Sequence, residues 1–178
     1  MSEPTDEVLM ERFIDGDATA FDALFSRHAP TVRAYLQRLT GSSAAADDLT
    51  QVTFVSVVKG RGRFMRGAKV KPWLYAIATN AARDAGRRQK FEAVTDEGVL
   101  PEQEADGAPL RDFGLEKAVK NALAQLPEAQ REAILLHRFE GLSFAEIAEQ
   151  VGLTESAVKV RAHRGYERLR ELLKGVWP

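Results

Sequence analysis

The side chains in this sequence with the clearest potential for specific chemistry are cationic, and they are unevenly distributed. Residues 59–90 contain ten lysines and arginines and a single acid, Asp84, so this stretch carries a net charge of +9. The flanking segments 1–58 and 91–114 carry −5 and −6, residues 115–178 carry +1, and the whole chain sums to −1. A concentrated cationic block favours a polyanionic partner, because a ligand meets the local field rather than the total charge.

Aromatic rings and an amide accompany this cationic block. Residues 60–71 contain three glycines and form a predicted loop, and Pro72 suits the first turn of a helix over 72–89. Cations that follow a phosphate backbone, combined with rings on which bases stack, are typical of single-strand nucleic-acid binding. The residues that carry this interpretation are Arg61, Arg63, Phe64, Arg66, Lys69, Lys71, Trp73, Tyr75, Asn80, Arg83, Arg87 and Arg88. Alternatives stay open at two of them: core packing is favoured for Trp73, and Asn80 suits a solvent-facing position equally well.

A second pattern lies near the carboxyl end of the sequence. Ser143 and Glu146 have the spacing of a capping box, Gly152 permits a sharp turn, and Thr154 suits the start of another helix. A capped short helix, a glycine turn and a helix with a basic outer face predict a helix-turn-helix, whose second helix enters the DNA major groove. The residues expected to approach DNA are Thr154, Glu155, Ser156, Lys159, Arg161, His163 and Arg164. The plainer alternative is a helical hairpin with a solvated charged face.

Other chemistries find little support in the residue types. The chain has no cysteine, which excludes disulfides, thiol catalysis and cysteine-ligated zinc. The three histidines, His28, His137 and His163, lack ligand spacing, so we expect no metal and no cofactor. Asp47 and Asp48 are adjacent on a predicted helix and diverge by about 100°, which favours a protein-binding or solvated face over a catalytic pair. We therefore expect a protein that is not an enzyme.

The elements that position these residues are all predicted to be helical. Apolar periodicity predicts a helix over 17–40 and, despite the strand-like composition of residues 52–58, another over 44–59. Pro127, Gly141 and Gly152 divide the carboxyl-terminal part into four helices. The predicted fold is all-α: two small helical domains, 1–90 and 115–178, joined by a flexible acidic linker at 91–114.

The sequence also lacks the usual signs of membrane targeting. The longest unbroken aliphatic run, Ala133–Leu136, is far shorter than the ~20 residues that span a bilayer. The acidic start of the chain is unlike a signal peptide. The expected location is cytoplasmic, with no direct membrane insertion.

Motifs spread over nearly the whole chain resemble, in their order and spacing, the extracytoplasmic-function (ECF) sigma factors of the bacterial sigma-70 family. These motifs are Asp17-Ala18-x-x-Phe21-x-x-Leu24-Phe25, Ala46-Asp47-Asp48-Leu49-x-Gln51-x-x-Phe54, Pro72-Trp73-Leu74-Tyr75-x-Ile77-Ala78-x-Asn80, Leu126-Pro127-x-x-x-Arg131-Glu132-Ala133, Glu140-Gly141-Leu142-Ser143, Glu146-Ile147-Ala148 and Val158-Lys159-x-Arg161. No single motif is decisive, and the specificity lies in their combination.

The resemblance implies distinct tasks for the two domains. The first domain resembles sigma region 2, which binds the coiled coil of the polymerase β′ subunit and opens the promoter −10 element. Asp47, Asp48 and Gln51 then fall on the polymerase-binding part, while the loop 60–71 and Asn80 match the part that captures a flipped −10 base. The second domain resembles region 4, which docks on the β flap and reads the −35 element.

The resemblance also implies further partners. Many ECF sigma factors are restrained by an anti-sigma factor that is often membrane-bound, so this chain could be held at the membrane indirectly. The acidic linker matches the family connector that passes through polymerase channels.

Two positions depart from the family pattern. Thr79 stands where a basic residue often precedes the asparagine, and Thr154-Glu155 stand where a proline often starts the recognition helix. The runner-up interpretation is a stand-alone helix-turn-helix regulator, which would bind duplex DNA tightly without polymerase.

Overall fold

The computed structural model describes residues 2–95 and 113–176, which form eight α-helices. The helices are α1 (Asp6–Ile14), α2 (Ala18–Thr40), α3 (Ser43–Gly60), α4 (Val70–Thr95), α5 (Phe113–Ala124), α6 (Glu128–Ile134), α7 (Phe144–Val151) and α8 (Glu155–Leu172). A 3₁₀ turn at Arg61–Arg63 follows α3, and a π-helical turn at Leu135–Phe139 extends α6. One compact unit is centred on α1–α4 and a second on α5–α8, which confirms the predicted all-α, two-domain architecture.

The first helix, α1, was not predicted from the sequence. Thr5 caps it by accepting a hydrogen bond from a backbone N–H of the first turn, and three apolar residues, including Phe13, are buried on one face. Asp6 joins it to α2 through the imidazole of the buried His28, at 2.8 Å. A short helix with an acidic start gives a weak periodic signal, and these tertiary contacts stabilise it.

Helix α3 contains the strand-like segment 52–58 and is helical throughout, as predicted. The hydroxyls of Thr50, Thr53 and Ser56 each donate to the carbonyl four residues earlier, at 2.7–2.8 Å. These bonds satisfy the hydroxyl groups inside the helix. Tertiary packing overrides the β-propensity of the segment.

Helix α4 is longer than the predicted 72–89, because it begins at Val70 and ends at Thr95. Its start is fixed by a hydrogen bond from the Val70 N–H to the Glu7 carboxylate of α1, at 3.2 Å. The rest of the predicted linker, 96–112, lies outside the described residues. Among the helices described on either side of that gap, none is long and apolar enough to cross a membrane.

Aromatic pairs connect the helices of the first unit, and of their rings Phe54, Tyr35 and Tyr75 are buried while Phe25 is 43% exposed. Phe25 packs edge-on against Phe54 with ring centroids 4.8 Å apart, and Tyr35 packs likewise against Tyr75 at 5.3 Å. The buried Tyr35 hydroxyl also forms a hydrogen bond with Thr79, at 2.8 Å. These contacts join α2, α3 and α4.

The second unit is held by a close crossing of α6 and α8. Gly165 lies buried on α8, and a Cβ added there would stand 2.6 Å from the Cδ1 atom of Ile134 on α6. A larger residue would force the buried Ile134 side chain to shift, so glycine allows the two helices to approach closely.

Candidate nucleic-acid interface

The cationic loop between α3 and α4 is held in place by α1. The guanidinium of Arg66 pairs with Asp15 at 2.5 Å, and that of Arg61 lies 5.2 Å from the ring centroid of Phe13. The hydrogen bond and charge of Arg66 lower the pKa of Asp15 below its ordinary value. Arg61 therefore lies against α1 and Arg66 is paired with the residue that follows α1, a helix that was not predicted from the sequence.

The tip of this loop is an ordered turn that exposes a methionine. The Ala68 N–H donates to the Met65 carbonyl at 3.0 Å, and Gly67 adopts a positive φ of 83°. Met65 itself is 77% exposed between exposed arginines. It was not among the predicted site residues, although its place in the loop could have indicated it.

The aromatic residues of the predicted site have separate positions. Phe64 is only 6% exposed and packs edge-on against Trp73, with ring centroids 5.1 Å apart. Tyr75 is fully buried. The expectation that both rings form part of a base-stacking surface is corrected, because neither presents a free face to solvent. Trp73 is half-buried, so the alternatives of core packing and ligand contact both describe part of its surface.

On α4 the predicted polar residues form a stripe. Asn80 is exposed and lies seven positions after Trp73, so both occupy one face about 10 Å apart along the axis. Arg87 continues this face, is exposed, and lies 4.0 Å from Asp84. Of the remaining predicted cations, Arg63, Lys69, Lys71 and Arg88 are exposed and Arg83 is half-buried.

The residue before Asn80 explains one departure from the family pattern. Thr79 is 2% exposed and bonds to Tyr35, so its side chain points into the core. A lysine or arginine there would have to leave this buried position to reach solvent.

The exposed surface of α3 includes two valines beside the predicted polar residues. Asp48 and Gln51 share a face with Val52 and Val55, which are 48% and 51% exposed. Asp47 is also exposed, and it pairs with Arg33 of α2 at 2.5 Å. The two valines were not among the predicted site residues, because apolar residues of a helix usually face the core.

The helix-turn-helix prediction for residues 143–170 is confirmed in its local geometry. Ser143 and Glu146 form the complete capping box, with bonds of 3.1 and 2.8 Å. Gly152 ends α7 in the left-handed conformation at φ 68°, and the Thr154 hydroxyl accepts from the Ala157 N–H at 3.2 Å. Ala148 of α7 is buried in the second unit.

Helix α8 presents most of the predicted recognition residues to solvent. Thr154, Glu155, Ser156, Lys159, His163 and Arg164 are exposed, and Arg161 is half-buried on the flank. Lys159 pairs with Glu155 at 3.0 Å, and His163 lies 3.3 Å from Glu167. No group of three or more potential metal ligands occurs in the described ranges.

Arg131 of the Leu-Pro-x-x-x-Arg motif has a structural position. Its guanidinium donates to the carbonyls of Leu123, Ala124 and Leu126 at 2.9–3.1 Å. Burial lowers the pKa of this guanidinium from its ordinary value. Arg131 thus satisfies backbone groups where α5 ends and holds α5 to α6.

Comparison with known proteins gives each unit a counterpart. The family model for Sigma-70 region 2 matches residues 24–92, and that for Sigma-70, region 4 matches residues 116–169. Together the fold and these matches define a transcription initiation subunit of RNA polymerase.

Relatives over nearly the full chain narrow this class. The chain is 46% identical over 168 residues to "RNA polymerase sigma factor CarQ" of Myxococcus xanthus, covering 92% of this chain and 95% of the relative. It is 35% identical over 172 residues to "ECF RNA polymerase sigma factor SigM" of Mycobacterium tuberculosis, covering 96% and 86%. The chain belongs to the ECF group of the sigma-70 family.

Solved structures of sigma factors are also similar. The sigma factor RpoE of Bartonella quintana, solved with the anti-sigma factor NepR, has a TM-score of 0.78 and 30% identity over 87% of this chain and 97% of its own. CnrH, solved with the cytosolic domain of CnrY, has a TM-score of 0.71 and 26% identity over 95% and 97%.

Proposed function

We propose that this chain binds core RNA polymerase, selects promoters through their −35 and −10 elements, and opens them, while carrying no catalytic step itself. The observation that supports this most strongly is the succession of region 2 and region 4 on one chain, with a cationic surface on the first and a helix-turn-helix on the second. We assign region 2 to the part of the chain that ends with α4, region 4 to the part that begins with α5, and the connector to the residues between them, acting in the cytoplasm.

For the −10 element, the proposed surface combines the cationic loop between α3 and α4 with the exposed stripe of α4. Extruding a base costs a few kcal/mol, roughly, and a cationic wall with a fitting pocket offsets this cost. Asn80 offers both donor and acceptor atoms to an unpaired base edge. Met65 supplies an exposed apolar side chain on the loop that precedes α4, the kind of group that proteins insert between base steps. In this proposal, Phe64 packs against Trp73 and helps to hold the Trp73 ring in position.

For polymerase, the proposed contact is the α3 face made of Asp48, Gln51, Val52 and Val55. Exposed valines flanked by an acid and an amide suit a protein partner better than DNA, because phosphates repel the carboxylate. Asp47 contributes by fixing Arg33. We assign the β′ coiled coil to this face and the β flap to the second unit.

For the −35 element, the proposed reader is the amino-terminal half of α8. Ser156 and Lys159 are placed to approach base edges, and Arg164, farther along the exposed side, is placed to contact phosphates.

An anti-sigma factor is the proposed regulator. RpoE, 30% identical to this chain, was solved with an anti-sigma factor, and CnrH, 26% identical, was solved with the cytosolic domain of CnrY. A membrane-anchored regulator would hold the chain near the membrane without insertion.

The test is to add the purified chain to core polymerase and sequence the transcripts made from supercoiled genomic DNA. We expect a small set of start sites that share −35 and −10 motifs and that are absent with core polymerase alone. Transcripts that do not depend on the added chain would contradict the proposal.

A further inference from the structure

The exposed face of α8 is polar except at one position. Val160 is 48% exposed, and no other large apolar side chain of the described α8 is comparably exposed. The apolar and small residues of the helix otherwise face inward at Val158, Ala162 and Gly165.

Helical geometry puts Val160 at the centre of the exposed face. With 3.6 residues per turn, its Cβ direction lies about 170° from the mean direction of the buried stripe. Ser156 and His163, four residues before and three after, are its neighbours on that face, and both are exposed. A helix that lies in a groove with its buried face toward the protein therefore presents Val160 toward the groove floor.

Two of the charged residues around Val160 are engaged along the helix, and Arg164, four residues after Val160, is exposed on the same face. Lys159 pairs with Glu155, and His163 lies beside Glu167. These i, i+4 contacts flank an apolar centre. Valine also has a lower helix propensity than alanine, so its presence on a solvated face does not stabilise the helix.

We propose that Val160 contacts the C5-methyl group of a thymine in the −35 element and so selects a T·A pair at one position. The proposal rests on the proposed function, in which α8 enters the major groove. Thymine is the only base that presents a methyl group there, and an apolar side chain gains by burying against it.

The test removes only this methyl group. Promoter fragments carry uracil in place of one −35 thymine at a time, on either strand, and holoenzyme affinity is measured by competition. We expect one thymine whose replacement weakens binding roughly three- to fivefold, the effect of losing about one buried methyl group. Holoenzyme with Val160→Ala should bind the thymine promoter more weakly and no longer distinguish it from the uracil promoter.

Two variants serve as controls. Val160→Thr keeps one methyl in the same shape and should retain part of the discrimination. Val8→Ala removes a valine of similar exposure, 47%, from α1 and should retain all of it. The inference would be overturned if no single thymine-to-uracil change weakened holoenzyme binding, or if the Val160→Ala variant still bound the thymine promoter more tightly than the uracil promoter. Either result would leave promoter-dependent transcription intact. Loss of that transcription from the unaltered chain would overturn the proposed function itself.

Discussion

Asn80 is the residue on which the −10 proposal depends most. It is exposed on the same face of α4 as Trp73, and its neighbour Thr79 is committed to the core. The sequence left a base contact and a solvated position equally open for Asn80. The structure makes its amide accessible, and a base contact is now the sharper hypothesis.

Replacing Asn80 with alanine should impair promoter opening without weakening core binding. The expected loss is about 1 kcal/mol, or roughly fivefold, for one hydrogen bond. Permanganate reactivity of −10 thymines measures opening, and co-elution with core polymerase measures binding. Asn121→Ala, an exposed asparagine on α5, is the control. Wild-type permanganate reactivity in the Asn80 variant would contradict the role.

Asp17 gives the first unit a defined acid sensitivity. Hydrogen bonds from Thr19 and Arg12 lower the pKa of this carboxyl from 3.8 to about 2. Its folded pKa is depressed, so its stabilising effect is present above pH 3.8 and is lost as the pH falls toward 2.

The corresponding variant is Asp17→Asn, which keeps a good N-cap residue and removes the charge. Urea midpoints at pH 5 and pH 3 should differ less in this variant than in the unaltered chain. Asp22→Asn, an exposed acid on α2, should leave the difference unchanged. Equal pH dependence in the Asp17 variant and the unaltered chain would show that this carboxyl does not stabilise the fold.

At the scale of elements, helices with local sequence signals could be predicted, and a helix that depends on tertiary packing could not. The carboxyl-terminal helices were predictable because Pro127, Gly141 and Gly152 are local stop signals and the Ser143 capping box is contained in four residues. Helix α1 was not, because contacts with distant residues stabilise it. Whether a ring such as Phe64 is buried also depends on tertiary packing, which the charge and aromatic pattern of the loop does not contain.

The crossing of α6 and α8 predicts opposite effects of the same substitution at two helical glycines. Gly165→Ala should lower the free energy of unfolding by about 1–3 kcal/mol, because its Cβ would collide with Ile134. Gly86→Ala on α4 meets no atom within 4 Å and should raise it by about 0.5–1 kcal/mol. Denaturant unfolding followed by circular dichroism measures both. A neutral Gly165 variant would mean that the helices can separate at little cost.

The α3 face predicts which substitutions weaken the affinity of the chain for core polymerase. Val52→Glu and Val55→Glu should each weaken core binding at least tenfold, about 1.4 kcal/mol, because a charge would be desolvated at an apolar contact. Val8→Glu is the matched control, since Val8 is exposed to a similar degree. Equilibrium binding of labelled chain to core polymerase gives the affinities. Unchanged affinity in both α3 variants would place the contact elsewhere.

For the whole molecule, the net charge of −1 is a cancellation. The +9 of residues 59–90 is offset by acidic segments on both sides, so the free chain should bind random DNA weakly. Placed on polymerase, the cationic block and α8 would each meet DNA over a short distance, where local charge dominates. Weak DNA binding by the free chain, together with DNA binding on polymerase, distinguishes a polymerase subunit from a stand-alone regulator.

The most direct measurement is the affinity of one labelled promoter fragment for the chain alone, for core polymerase alone and for the two together. We predict tight, promoter-specific binding only for the mixture, and weak, non-specific binding for the free chain. Tight specific binding by the free chain, unchanged when core polymerase is added, would contradict the account.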